Sequence, residues 1–220
     1  LEAIADALSA LGITHVSQGL ILHTGHFDNA ALPPAYAQKK TDAGYRPAVG
    51  ALASNFGATR LTIRPGRRVG SLVQVRAEGG GEAVSLVARA KTSKGAEDKL
   101  VIRSAHRPDG KSEYTVTGTL GVKSKAIHVR KRLHDPDRWT GLVLQAMLRS
   151  RGVTFGRPLE ITQAPLPDDA GPALSTILGR SLPETLLDIN TWSNNFMAEM
   201  VLKQMGCVTA EPCTWERGVT

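Results

Sequence analysis

Apolar residues return every three or four positions at the start of the chain: Leu1, Ile4, Ala5, Leu8 and Leu11 predict an amphipathic helix over residues 1–12, stopped by Gly12. "HVSQGLILHTGHFDN" reads as a short β segment running into a turn, and "LPPAY" breaks the chain. "AVGALASN" and "ATRLTIRPG" predict two strands. From Val69 to about Val129 the period stays short. "SLVQVRA", "AVSLVARA", "KLVIRSA", "EYTVTGTLG" and "KAIHVRK" are separated by glycine-rich breaks, which predicts a small all-β unit uninterrupted by a helical stripe. At "HDPDRW" the texture changes. Asp135 or Asp137 is placed to cap a helix through "RWTGLVLQAMLRSRG", with Leu142, Leu144, Ala146, Met147 and Leu148 as apolar positions and Gly152 as its end. "PLPDDAGPALSTILGR" reads as a loop followed by a short strand. "SLPE" is a capping box, Ser181 standing three before Glu184 with Pro183 in the first turn, and a short helix "PETLLDIN" follows. The pattern breaks at Ser193-Asn194-Asn195. Phe196, Met197, Met200 and Val201 then define a last helix closed by Gly206. The expectation is an α+β chain: a β-rich region over 1–138, in two subdomains with the inner one at about 69–113, and a helical piece over 139–220.

Composition narrows the function classes. A chain of 220 residues with 41% hydrophobic content buries a core and is not a disordered segment. No run approaches the roughly 18–20 apolar residues of a membrane helix. The opening "LEAIADALSALGI" is acidic and amphipathic, unlike a secretory leader, and has no initiating Met; the true N-terminus is expected to lie upstream. Net charge is +7, and residues 89–138 hold 13 Lys and Arg against 6 Asp and Glu, which is the whole excess. Such a surface attracts polyanions: nucleic acid, anionic lipid or an anionic cell wall. Aromatic content of 5%, with no stacking motif or finger spacing, speaks against nucleic acid. The plainer reading is a solvated basic face. Cys207 and Cys213 are not spaced as C-x-x-C and have no His near them in the chain, which argues against zinc or thioredoxin-like chemistry. A local disulfide of an exported protein and two reduced thiols both remain open.

The tripeptide Ser193-Asn194-Asn195 has two readings. Ser and Asn are good N-caps, and a junction between helices needs such residues. Alternatively, a Ser hydroxyl and an Asn amide two residues apart on a tight loop make a proton relay and a substrate-amide clamp, as in the second motif of penicillin-binding proteins and class A β-lactamases. The surrounding residues favour chemistry. "SNNFMAEMVLKQMG", through Phe196, Ala198, Glu199, Leu202 and Gly206, resembles that motif in the low-molecular-mass class C penicillin-binding proteins, the serine D-Ala-D-Ala carboxypeptidase/endopeptidase family. "GLILHTGHFDN" resembles the family's strand ending in a Phe-Asp turn. "YRPAVGALASNFGATRLTIRPGRRVG" resembles its Y-x-x-P-x-x-A-L-x-x-N stretch through Tyr45, Pro47, Ala51, Leu52 and Asn55. "YTVTGTLG" resembles its V-x-G strand, "HDPDRWTGLVLQAMLRSRGVTFGRP" its D-P helix, and "TWERGVT" its S-W-x-x-G.

The resemblance implies part of a β-lactamase/transpeptidase-like α/β catalytic domain with a β-rich inserted region. It implies a hydrolase that forms an acyl-enzyme on a serine activated by a lysine one helical turn later. Ser193 would then relay a proton to the leaving amine, and Asn195 would orient the substrate amide. It also implies peptidoglycan stem peptides as substrates, β-lactams as inhibitors of the complete protein, a periplasmic or cell-envelope location, and no cofactor, metal or nucleic-acid partner. The nucleophile motif itself is missing: no Ser in the chain has a Lys three residues later. K-T-G is missing too. His23-Thr24-Gly25 and Lys91-Thr92-Ser93 are only superficial matches. In the family these motifs lie upstream and downstream of such a stretch, so the chain reads as the middle of a longer protein, inactive alone. The alternative is a non-catalytic cell-wall-binding module of the same family.

Overall fold

The computed structural model describes residues 1–220 except 39–40, 96–97, 168–169 and 209. Helix α1 (Glu2–Ala10) buries Ala5 against Leu144 and Leu148, with Leu1, Ile4 and Leu8 packed around it. Two short strands follow, β1 (His15–Val16) and β2 (Ile21–His23), then a one-turn 3-10 helix over Pro34–Gln38. Strand β3 (Ala58–Arg64) alternates as the sequence does: Leu61 and Ile63 point inward and are fully buried, while Arg60 and Arg64 are exposed. It pairs antiparallel with β4 (Gln74–Ala77). A single helical turn, α2 (Gly80–Ala83), leads into β5 (Val84–Ala88), β6 (Lys91–Ser93), β7 (Lys99–His106), β8 (Ser112–Gly121) and β9 (Ile127–Arg132).

These strands make two sheets. One has the order β4-β3-β9. In the other, β8 pairs with β7 on one side and with β5 and then β6 on the other. Their inner faces share a core in which Ile63 meets Val116 and Leu120, while Leu61 meets Tyr114. The buried Tyr114 hydroxyl donates to the Arg132 carbonyl at 2.8 Å, so burial leaves it satisfied.

Helix α3 (Pro136–Ser150) begins at Asp135, whose carboxylate accepts the Arg138 N–H at 2.9 Å, with Pro136 in the first turn. Its Trp139 and Val143 extend the sheet core. A side chain at Gly141 would strike Leu22 and Leu159, so glycine is what lets α3 lie close on the next strand pair. Strands β10 (Thr154–Phe155) and β11 (Glu160–Thr162) pair in parallel with β1 and β2. Residues 15–23 thus join residues 154–162. Helices α4 (Leu182–Trp192), α5 (Asn195–Met205) and α6 (Trp215–Gly218) complete the α+β fold. Among the described residues no helix is long and apolar enough to cross a membrane.

Three expectations on secondary structure need correction. "AVGALASN" is not a strand. Residues 47–50 are buried coil, and their neighbourhood takes its backbone bonds from elsewhere: Val49 N–H donates to Ala31 O at 2.8 Å and Leu52 N–H to the Asp137 carboxylate at 2.8 Å. Small residues with weak strand preference fill a buried corner there without a ladder. "STILGR" is not a strand either; Ile177 and Leu178 are exposed, and among the described residues neither pairs with a strand. Asp168 and Asp169 of that loop lie outside the described residues. Finally, α2 does interrupt the all-β stretch, because Ala83 packs on Trp139 of α3.

Candidate active site

The tripeptide lies between α4 and α5, and its three side chains divide the work. Ser181 starts α4 in the expected capping box: the Glu184 carboxylate accepts the Ser181 N–H at 2.9 Å and its hydroxyl at 2.7 Å. These bonds hold the Glu184 carboxyl below its ordinary pKa. Ser193 ends α4 in the left-handed conformation, at φ 48°. Asn194 is the N-cap of α5, its side-chain oxygen accepting the Met197 N–H at 3.1 Å. The capping role that Ser193 or Asn195 might have had thus falls to Asn194. The Ser193 hydroxyl makes no hydrogen bond among the described residues and is exposed. Asn195 turns its amide outward from the first turn of α5, where it donates to Tyr45 O at 2.7 Å.

These residues form one wall of an open cavity of about 590 Å³, whose other walls are Ala43, Gly44, Tyr45, Pro47, Phe56, Arg130 and Phe196. Asn55 and Phe56, like Ser193, have positive φ, and among the described residues these three are the non-glycine residues that do. All three stand at this cavity or beside it. Such conformations cost of order 1–3 kcal/mol each and tend to collect at functional sites. The Asn55-Phe56 turn is fixed from several directions. Asn55 donates to Ala58 O at 2.9 Å, the Arg130 guanidinium donates to Asn55 O at 3.1 Å, and the Phe56 ring meets Phe196 edge-on at 6.0 Å. Gly57 completes the turn at φ +60°, where a Cβ would overlap Ala48 O.

A buried ion pair sets the pose of α5. Lys203 is fully buried, with Nζ 2.6 Å from the Asp28 carboxylate and donating to Ala30 O at 2.6 Å. The ammonium also lies 4.2 Å from the centre of the Trp215 ring on α6 and 5.1 Å from that of Phe27. It therefore ties the Phe-Asp turn after β2, the helix bearing Asn195 and the Trp215 segment into one unit. Sequence reading passed over Lys203. Its signal was its position: with Phe196 and Met200 it falls on the inward stripe of α5. Arg130 and Phe56 were also missed, because they reach the cavity only through tertiary folding. Glu199, on the same helix, has its carboxyl pKa raised by burial.

Asp137, in the first turn of α3, accepts the Leu52 N–H at 2.8 Å. Burial pushes its carboxyl up to about 6, a neighbouring Asp135 adds to the rise, and the Leu52 N–H works against it. A second, smaller cavity of about 290 Å³ opens beside it, lined in part by Asp28, His106, His134 and Asp135. Burial and the adjacent Arg132 lower the His134 pKa.

Cys207 and Cys213 are joined in a disulfide, with Cα atoms 4.4 Å apart. A histidine does lie near them in space: the His26 ring nitrogen is 3.5 Å from Cys213 Sγ. The two sulfurs are bonded to each other, and His26 is held by Glu211 at 2.8 Å and Gln204 at 2.9 Å. Of the two superficial K-T-G matches, His23-Thr24-Gly25 is the end of β2, where the Thr24 hydroxyl donates to Thr162 O at 3.3 Å. Lys91-Thr92-Ser93 is β6.

The chain is 26% identical over 226 residues to a D-alanyl-D-alanine carboxypeptidase of Actinomadura sp. (strain R39), an alignment covering 100% of this chain and 41% of that protein. Crystal structures of penicillin binding protein 4 from Haemophilus influenzae share the fold. One superposes with a TM-score of 0.78 at 15% identity, covering 99% of this chain and 47% of the other. A second, complexed with a β-lactam, gives 0.68 at 16% identity, covering 99% and 45%. The chain thus spans less than half the length of these relatives. The model of one family, described as D-Ala-D-Ala carboxypeptidase 3 (S13), matches residues 1–220, and the chain belongs to that family.

Proposed function

We propose that this chain supplies one wall of the active site of a serine DD-peptidase of peptidoglycan metabolism. The nucleophilic serine and its lysine come from sequence outside these 220 residues. That serine attacks the carbonyl of a D-Ala-D-Ala or cross-link peptide bond, a C–O bond forms as the C–N bond breaks, and water later cleaves the acyl-enzyme. The Ser193 hydroxyl passes the proton to the departing amine. Asn195, braced by Tyr45 O, orients the substrate amide. The observation that carries this reading is the division of labour in the tripeptide: Asn194 alone caps α5, so Ser193 and Asn195 face the cavity with no capping duty. Within the same reading the inserted unit runs from about residue 58 to about residue 134, and the segments on either side belong to the catalytic part. A periplasmic or cell-envelope location follows, and the disulfide is consistent with it.

The test uses the protein completed with its flanking sequences. Ser193→Ala is expected to slow acylation by a labelled penicillin while leaving the melting temperature unchanged, since the hydroxyl makes no bond that folding depends on. Acylation at the wild-type rate would overturn the assignment. No acylation of the completed wild-type protein would instead favour the non-catalytic wall-binding reading.

A further inference from the structure

The outward face of the β4-β3-β9 sheet is an arginine surface. Alternation puts Arg60, Thr62 and Arg64 on it, and the register sets Arg76 and His128 on either side of Thr62 and Arg130 directly opposite Arg60. A depression of about 340 Å³ lies over these strands, lined by Arg60, Arg64, Gln74, Arg76 and His128, with Glu78 as its one carboxylate. Glu78 is 3.6 Å from Arg60. Among the described residues Arg64 and Arg76 have no carboxylate partner. Like charges placed directly opposite on neighbouring strands destabilise a sheet. Arg60 and Arg130 are so placed and are offset by Glu78 and by the Asn55 carbonyl, whereas Arg64 and Arg76 add charge to the same face with no carboxylate beside them, a departure of the kind that marks functional surfaces.

The opposite face of β3 is the packed core of Leu61 and Ile63, so the arginines stand on a rigid support. Arg130 also lines the cavity that holds Ser193 and Asn195. The cationic face and the candidate active site are therefore continuous.

We propose that this face binds the carboxylates of peptidoglycan stem peptides and leads a strand into the Ser193–Asn195 cavity. The identity of the ligand rests on the DD-peptidase reading; the site rests on the arginines. Four guanidinium groups suit paired carboxylate recognition better than ammonium groups would. Strands β4, β3 and β9 place no Phe, Tyr or Trp on this face for nucleic-acid bases to stack on, and the Phe56 ring beside Arg130 is already engaged by that guanidinium and by Phe196.

The test is co-sedimentation of the purified chain with insoluble peptidoglycan, native and after its carboxylates have been converted to neutral methylamides. Arg64→Gln/Arg76→Gln is expected to weaken binding to native material about tenfold, the sum of two exposed charge pairs, and amidation to weaken it at least as much. Lys123→Ala/Lys125→Ala removes the same charge from the β8–β9 turn and is expected to change binding less than twofold. Circular dichroism confirms folding, and Arg64→Lys/Arg76→Lys keeps charge if the first variant fails to fold; it is expected to bind more weakly than wild type. Equal losses in the glutamine and alanine doubles, undiminished binding to amidated material, or tighter binding to duplex DNA or to phosphatidylglycerol vesicles would overturn the proposal. Penicillin acylation of the completed protein reads the DD-peptidase assignment separately, so either can fail alone.

Discussion

Replacing Asp137 with Asn isolates the cost of keeping an ionised carboxylate buried under the Leu52 N–H. In the fold this carboxyl is buried and titrates at about 6 instead of 3.8. The folded-state value is the higher one, so the unfolded chain gives up its proton first. The stability associated with the protonated group is fully present below about pH 4 and is lost as pH rises through about 6. Each tenfold change in proton affinity is worth about 1.4 kcal/mol, so the whole window amounts to about 3 kcal/mol. Asparagine does not titrate, and its side-chain oxygen still accepts the Leu52 N–H, which the carboxylate accepts at 2.8 Å. The stability of Asp137→Asn minus that of the wild type is therefore expected to rise by about 3 kcal/mol between pH 4 and pH 8. Urea unfolding of both proteins at each pH measures it. Taking the change in the difference removes any fixed effect of exchanging the hydroxyl for an amide, and cancels the titration of every group that is not coupled to Asp137; Asp135 is the coupled neighbour. A flat difference would mean that the Asp137 carboxyl titrates alike in both states. A difference that falls with pH would mean that the carboxylate is stabilised by its surroundings, and the account of Asp137 as a carboxyl raised by burial would be wrong.

Two further predictions concern the helix that bears the tripeptide. Asn194→Ala removes the cap of α5 and is expected to cost about 1 kcal/mol in thermal or urea unfolding, with penicillin acylation of the completed protein unchanged once the variant is folded; a loss of acylation larger than the loss of folded protein would give Asn194 a chemical role. Lys203→Ala leaves Asp28 unpaired and empties the space against Trp215, and is expected to cost about 3–5 kcal/mol, read by urea unfolding. A cost below about 1 kcal/mol, the worth of an exposed pair, would show that the ion pair does not hold α5 in place.

What could be read from the chain alone follows from which interactions are local. Strands β3 and β8 each bury one face, so their period-two pattern is visible in "ATRLTIR" and "EYTVTGTLG". The ends of α3, α4 and α5 are visible because caps act over three residues: Asp135 to Arg138, Ser181 to Glu184, Asn194 to Met197. The segment 48–55 looks like a strand because its residues are mostly small and apolar, but its apolar content serves a buried corner where the Leu52 N–H finds its acceptor in Asp137, 85 residues away.

The site divides along the same line. Asn195 is braced by a carbonyl 150 residues distant, and no spacing within the tripeptide announces that. The resemblance names Tyr45 and Asn195 in two separate motifs and does not pair them. Lys203 is the instructive intermediate case. Its partners are as remote as Asp28, yet its position is local information: a lysine on the stripe of Phe196 and Met200 must either unfold the turn or find an anion inside. A charged residue on the apolar stripe of a helix is thus a sequence-level demand for a partner, and here the demand identifies the Phe-Asp turn as the piece that fixes the helix carrying Asn195.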